Sequence, residues 1–237
     1  MNRTGHFYAL NVLPALAIAV LLLILEHTTL DALVTGWFFD QQSHEFPLRY
    51  NAFLEIVMHH WAKYPVALAA VAAGAGFALS LIIPQFKPAR PLLLFATLAM
   101  TLAPLAVAVL KQFSMRHCPW SLDLYGGYAQ YIPLFAEYPG DAVPGHCFPA
   151  GHASTGFCLF TFHFLGRALG SAPFARAGFA LGLFTGLGLG VVRIAQGAHF
   201  LSHVLWAGVV CWIAITLLYA FIIGPDSVPP AMTANPA

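Results

Sequence analysis

Apolar residues in this chain come in long unbroken runs, not in two-residue alternation, and the runs are separated by short charged or turn-rich breaks. Six windows approach the roughly 20 residues that a helix needs to cross about 30 Å of hydrocarbon. They are residues 9–25, 65–83, 92–110, 152–169, 174–192 and 204–223. Lipid offers no partner to an open strand edge, and continuous runs do not fit the alternation of a barrel, so the pattern predicts helices. The expected fold is all-α: a six-transmembrane-helix bundle forming one domain over residues 1–237, with no internal repeat. The first window follows Arg3, but no small-residue cleavage site follows it, so it reads as a retained span and not a signal peptide. Between the first two spans, "LDALVTGWFFD" and "FLEIVMHHWAKYP" read as interfacial helices, with Trp37, His59, His60, Trp61 and Tyr64 as headgroup anchors.

Composition agrees with this pattern. The 237 residues are 59% hydrophobic and only 8% charged, and the mean hydropathy is +0.76, which places the chain in a bilayer. Basic residues set its orientation. Arg3, Lys87, Arg90, Arg167 and Arg176 fall on one side, and Arg49, Lys63, Lys111, Arg116 and Arg193 on the other. The tie breaks once Lys111, Arg116 and Arg193 are set aside as site residues. Termini then face the cytoplasm, and the long loops over residues 26–64 and 111–150 face outward, as in a bacterial inner membrane protein with a periplasmic face. Cys118 and Cys147 flank the third loop, and an oxidising compartment there would join them, worth about 3.5 kcal/mol in the chain-entropy model. Cys158 and Cys211 lie inside spans as small apolar residues.

With so few charges, their placement carries the chemistry. Three polar clusters meet the outer interface: "KQFSMRHCPW" from Lys111, "GHCFPAGHASTG" from Gly145, and "VVRIAQGAHFLSH" from Val191. Several cations and imidazoles at a membrane surface suit an anionic headgroup, with Arg as a fork and Lys as a point charge on phosphate oxygens. The "PAGHAS" turn opens a helix near His152, where backbone N–H groups favour an anion.

The ordered clusters resemble the type 2 phosphatidic acid phosphatase superfamily of membrane lipid phosphatases. Its motifs are K-x6-R-P, P-S-G-H and S-R-x5-H-x3-D, and the motif-bearing core here spans about residues 110–206. Lys111 and Pro119 match the first motif, with Cys118 in place of its arginine and Arg116 two positions earlier to reach phosphate instead. "CPWSL" is similar to a bacterial subgroup of that family. Gly151 and His152 match the second motif, with Ala150 in place of serine. Arg193 and His199 match the third, with Val192 replacing serine and His203 replacing aspartate. The resemblance implies hydrolysis of a membrane lipid phosphate or pyrophosphate through a phosphohistidine. His199 would be the nucleophile, His152 the acid and base, and Lys111, Arg116, Arg193 and the Gly151 N–H the phosphate ligands. His203 would orient His199, and neither metal nor other cofactor is required.

Each residue alone has a plainer reading: a helix-start histidine, snorkelling cations, a helix-end arginine. Together, ordered at motif spacing, they favour the site. His117, His146 and Ser154 read first as structural residues, with a place at the site's rim as the alternative, and Asp123 and Asp141 as solvated loop carboxylates, either of which could orient His199 in place of the missing aspartate. Gly182, Gly186, Gly188 and Gly190 with Ala180 form a small-residue stripe for close helix packing. Two other classes stay open. Histidines 152, 199 and 203, with His146 or His117, suggest a metal or haem protein, although three neighbouring cations would repel a metal. A lipid phosphotransferase or a transporter of phospholipid-like anions fits the same residues. No basic tract suggests nucleic acid, and the oligomeric state is not written in the sequence.

Overall fold

The computed structural model describes residues 3–136 and 143–225, so Asp141 lies outside the described residues. The elements in chain order are α1 (Arg3–Leu25), α2 (Leu30–Gly36), α3 (Lys63–Ile82), α4 (Arg90–Gln112), α5 (Gly151–Phe157), α6 (Thr161–Ala168), α7 (Ala172–Ala195) and α8 (Leu201–Ile222). The described residues contain no strand beyond two isolated backbone bridges. Five helical runs are long and apolar enough to cross a membrane: Thr4–Leu25, Leu54–Ile82, Pro84–Gln112, Ala172–Ala195 and Leu201–Ile222. The remaining window, 152–169, is helical in three consecutive pieces, α5, a 3₁₀ turn at Cys158–Phe160, and α6.

One local element differs from the sequence expectation. "FLEIVMHHWAKYP" does not stand apart as an interfacial helix. Its Leu54–Trp61 portion is a π-helix that runs directly into α3. The helical run continues through Pro65, the third residue of α3. The wider π turn matters below, since it brings Glu55, Met58 and His59 to the same region as the motif residues.

The bundle centres on α8, which packs against α1, α4 and α5, while α7 lies along α5 and α6. Phe95, Phe157, Phe160, Phe164 and Tyr219 are buried at this centre. In lipid the apolar tails outside are as greasy as the core, so close contact and not water exclusion holds such helices together. Glycine provides that contact between α5 and α7. A Cβ on Gly156 would stand 2.5 Å from the Gly186 backbone, and one on Gly186 would stand 2.3 Å from the Phe157 ring. Gly182 and Gly190 are pressed likewise, by Phe160 and Val204, whereas a Cβ on Gly188 would meet nothing within 4 Å. A polar tie joins three helices farther along the bundle. Arg167 donates to Asn11 Oδ1 at 2.9 Å, and Trp212 donates to the Asn11 carbonyl at 2.7 Å.

Candidate active site

The third cluster is built on the turn between α7 and α8. Arg193 lies in the last turn of α7, and its carbonyl accepts from the Ala198 N–H at 2.8 Å. Gly197 takes φ +71°, a left-handed backbone that a side chain resists, and any Cβ there would strike the Phe46 ring at 2.5 Å. The turn therefore requires glycine twice over. It leaves His199 buried, just before α8 begins.

His199 and His203 face each other at the start of α8, with their Nδ1 atoms 3.5 Å apart. His203 is fully buried, and its Nε2 has no hydrogen-bond partner among the described residues. Phe148 and Phe200 stand edge-on to its ring. Lys111, Arg193 and His152 all lie close enough to act on the His199 charge. Burial, with Lys111 and Arg193 beside it, pushes the His199 imidazole down to about 3. His199 is therefore a neutral base across the physiological range.

The second cluster enters from α5. The Ala150 N–H donates to the His203 carbonyl at 3.0 Å, which fixes the start of α5 against α8. His152 Nε2 sits 2.8 Å from the Met58 carbonyl, and its ring stands edge-on to His59 with centroids 4.8 Å apart. Ser154 is buried and donates to the Gly151 carbonyl. The Cys147 N–H pairs with the Arg116 carbonyl, and the structure carries a Cys118–Cys147 disulfide with Cα atoms 5.3 Å apart. Both ends of the third loop are thus drawn to one place.

The phosphate ligands named from the sequence divide into two groups. Arg193 faces the site: its Nη1 is 2.8 Å from Gln196 Oε1 and 3.5 Å from Glu55 Oε2. Arg116 is turned elsewhere. It is buried against Glu26 at 3.1 Å, donates to the Tyr131 hydroxyl at 2.6 Å, and packs on the Tyr131 and Phe148 rings. His117 bonds the Val143 carbonyl at 3.0 Å, and Asp123 is exposed with its carboxylate on the Leu124 N–H. His146 takes φ +47° in the loop before Cys147.

Sequence reading passed over Glu55, Met58, Gln196 and Trp120, and read His59 only as a headgroup anchor. Glu55 Oε1 lies 2.8 Å from His59 Nδ1 and 3.3 Å from His60 Nε2, while its other oxygen reaches Gln196 and Arg193. The available signal was an acid and a histidine at i and i+4 in an otherwise apolar segment. The backbone N–H of Trp120 donates to the Gly197 carbonyl at 2.9 Å and so holds the turn between α7 and α8, and the Trp120 ring lies 5.7 Å from the Arg193 guanidinium.

Two groups of side chains have metal-ligand types within 4.8 Å of one another: Cys147, His199 and His203, and Glu55, His59 and His60. The Cys147 sulfur is spent in the disulfide. Arg193 lies 3.5 Å from both Glu55 and His59, a guanidinium where a metal cation would be repelled. The arrangement instead suits an anion held by Lys111 and Arg193 between two imidazoles, one buried and neutral, the other anchored to a carbonyl.

The chain is 28% identical over 197 residues to the lipid A 4'-phosphatase of Francisella tularensis subsp. novicida (strain U112), covering 81% of this chain and 86% of that protein. No solved structure matches it. The family model of the PAP2 superfamily matches residues 91–224, which takes in α4 through α8 and every motif residue above, and the chain accordingly belongs to the PAP2 superfamily and is a phosphatase, a phosphoric ester hydrolase.

Proposed function

We propose that this protein is an integral-membrane phosphatase of lipid phosphates or pyrophosphates, working at the outer, periplasmic face of a bacterial inner membrane through a phosphohistidine on His199. In this reading the run α5 to α6 completes six spans, and the Cys118–Cys147 disulfide belongs to an oxidising outer side. The observation that carries the reading is the paired orientation of the two imidazoles. His199 turns Nδ1 toward His203, which leaves Nε2 for phosphorus. His152 rests Nε2 on the Met58 carbonyl, which leaves Nδ1 for the leaving group.

The reaction balances in two steps. His199 Nε2 forms a bond to phosphorus as the bond to the lipid oxygen breaks, and the protonated His152 gives its Nδ1 proton to that oxygen. His152, now neutral, takes a proton from water as the water oxygen attacks phosphorus and the P–N bond breaks, releasing phosphate. Lys111, Arg193 and the Gly151 N–H hold the non-bridging oxygens as charge shifts among them. Arg116, bound to Glu26, acts behind the site by supporting Phe148 against His203.

The substrate panel comprises undecaprenyl pyrophosphate, phosphatidic acid, phosphatidylglycerol phosphate and lipid A phosphate, the last joined by what the Francisella relative's name says it acts on. Phosphate release is expected from at least one of them. His152→Ala should lose about 10²- to 10⁴-fold in turnover, the usual worth of a positioned proton donor, and His199→Ala essentially all. Wild-type rates from purified His199→Ala protein would overturn the mechanism.

A further inference from the structure

The Cys118–Cys147 bond lies against His199 itself. Cys147 is fully buried, and its Sγ stands 3.6 Å from His199 Nδ1 and 3.0 Å from the carbonyl oxygen of Ala198. That sulfur and one nitrogen from each of His199 and His203 all lie within 4.8 Å of one another. The Cys147 carbonyl also acts on both rings. Cys118, by contrast, is partly exposed.

The covalent bond is not what closes the loop. The Gly145, His146 and Cys147 N–H groups donate to the Met115, Ser114 and Arg116 carbonyls at 3.1, 3.0 and 3.0 Å, so three backbone hydrogen bonds already join the two segments. Beyond Cys118, the Trp120 N–H ties the chain to Gly197. Backbone pairing thus sets the place of Cys147, and what the bond changes beside His199 is the chemical state of the sulfur.

That state bears on the tautomer. Attack through Nε2 requires the His199 proton to sit on Nδ1. Either ring of the facing pair can carry the shared Nδ1 proton; when His203 carries it, His199 holds its own on Nε2 and has no lone pair there for phosphorus. A disulfide sulfur has lone pairs and no hydrogen, so it accepts weakly from an Nδ1–H and opposes a bare Nδ1 lone pair to lone pair. A thiol in the same place donates S–H to a bare Nδ1 and stabilises the unreactive form.

We propose that Cys147 is a positioning residue for phosphoryl transfer: as a disulfide, its sulfur keeps the His199 proton on Nδ1, and as a thiol it releases that control. The inference rests on the reading of His199 as nucleophile. Reduction by a dithiol balances as thiol–disulfide exchange. The reductant's thiolate attacks the Cys118 sulfur, the S–S bond breaks with its electron pair going to Cys147 Sγ, and that sulfur takes a proton. The second thiol of the reductant then displaces Cys118 as a thiol, and the dithiol leaves as a cyclic disulfide.

The full-length protein in detergent is compared oxidised, reduced with dithiothreitol, and as Cys118→Gly, on whichever lipid of the panel above the oxidised protein hydrolyses fastest. Reduced protein and Cys118→Gly should each lose about tenfold or more in kcat with KM within about twofold, because a wrong tautomer impairs the chemical step and not binding. Methyl methanethiosulfonate then caps the Cys147 thiol of Cys118→Gly as a methyl disulfide, whose S–CH3 replaces the missing Cys118 side chain without linking the segments. Capping should restore kcat to within about threefold of the oxidised protein. Cys118→Gly/Cys147→Ala, which keeps the buried thiols of Cys158 and Cys211, should respond to neither reagent. Unchanged kcat on reduction, or a response by the double variant, overturns the proposal. So does a loss that capping, verified by mass spectrometry, fails to reverse, since that assigns the effect to the link and not to the sulfur. If the oxidised protein releases no phosphate, or releases it without His199, the phosphohistidine reading fails separately, and nitrogen chemical shifts of histidine-labelled protein decide the tautomer, with the His199 signals identified by their loss in His199→Ala. A move from Nδ1–H to Nε2–H on reduction retains the positioning role, and an unmoved tautomer removes it.

Discussion

His203 occupies the position where the family pattern carries an aspartate, and its burial makes the substitution consequential. A neutral imidazole accepts the Nδ1–H of His199 across 3.5 Å, but its own Nε2 is then left in an apolar surround of Phe148 and Phe200 without a partner. A carboxylate would orient His199 with no such orphaned group. His203→Asp should therefore keep or raise kcat, and His203→Ala should lower it by about tenfold or more, a loss of orientation in which KM changes little. The pH profile belongs to the same residue pair. With the His199 pKa depressed to about 3, the nucleophile is neutral above that value and is lost only as pH falls toward it. Corrected for substrate ionisation, kcat/KM should show no His199 limb between about pH 5 and 8. A His199-dependent limb near the ordinary histidine value would show that its burial is relieved in solution. At this scale the sequence singled out His152, Arg193 and His199 as the proposed trio, because motif spacing survives in one dimension. It did not reveal that Arg116 is held by Glu26, since an ion pair across 90 positions leaves no spacing signature.

Among the elements, the π-helical segment Leu54–Trp61 has the largest effect on the site and was the least legible. Read alone, Glu55, His59 and His60 are interfacial polar residues; only packing against α7 shows that Glu55 and His59 meet Arg193, 138 positions away from Glu55. Hydropathy gave the helical runs well, because a bilayer imposes length and composition on every span. It could not give helix type, and it merged or divided runs where no proline or charge marks the join. The segment suggests a resting state in which a carboxylate occupies the arginine that phosphate will need. Glu55 is 3.5 Å from Arg193 and shares it with Gln196, so an arriving phosphate must displace or tolerate a like charge. Glu55→Gln should lower KM several-fold and leave kcat within about threefold. A raised KM would mean instead that the carboxylate positions Arg193 for substrate.

In the whole molecule, the groups of the proposed site ride on separate helices, so the geometry of the site is a property of the bundle. His152 is on α5, Arg193 on α7, His199 before α8 and Lys111 on α4. The α5 and α7 contact is set by backbone proximity at Gly156 and Gly186, with Phe157 filling the space between them and Gly208. The glycine stripe was visible in the sequence, but not which of its members bear the contact: Gly186 does, and Gly188 faces open space. This difference permits an internally controlled test of how packing reaches chemistry. Gly186→Ala puts a methyl group into the Phe157 ring, and overpacking of this kind costs about 1–3 kcal/mol. Because the strain separates the helices carrying His152 and Arg193, turnover should fall together with thermal stability in detergent. Gly188→Ala, one half-turn further along the same helix, should leave both unchanged or slightly raise stability, since alanine favours helix over glycine by about 1 kcal/mol. Phosphate release and unfolding temperature measured on the two variants decide the matter: if Gly186→Ala unfolds earlier yet turns over substrate at the wild-type rate, the site tolerates displacement of α5 from α7, and its geometry is set by the loops and not by the bundle.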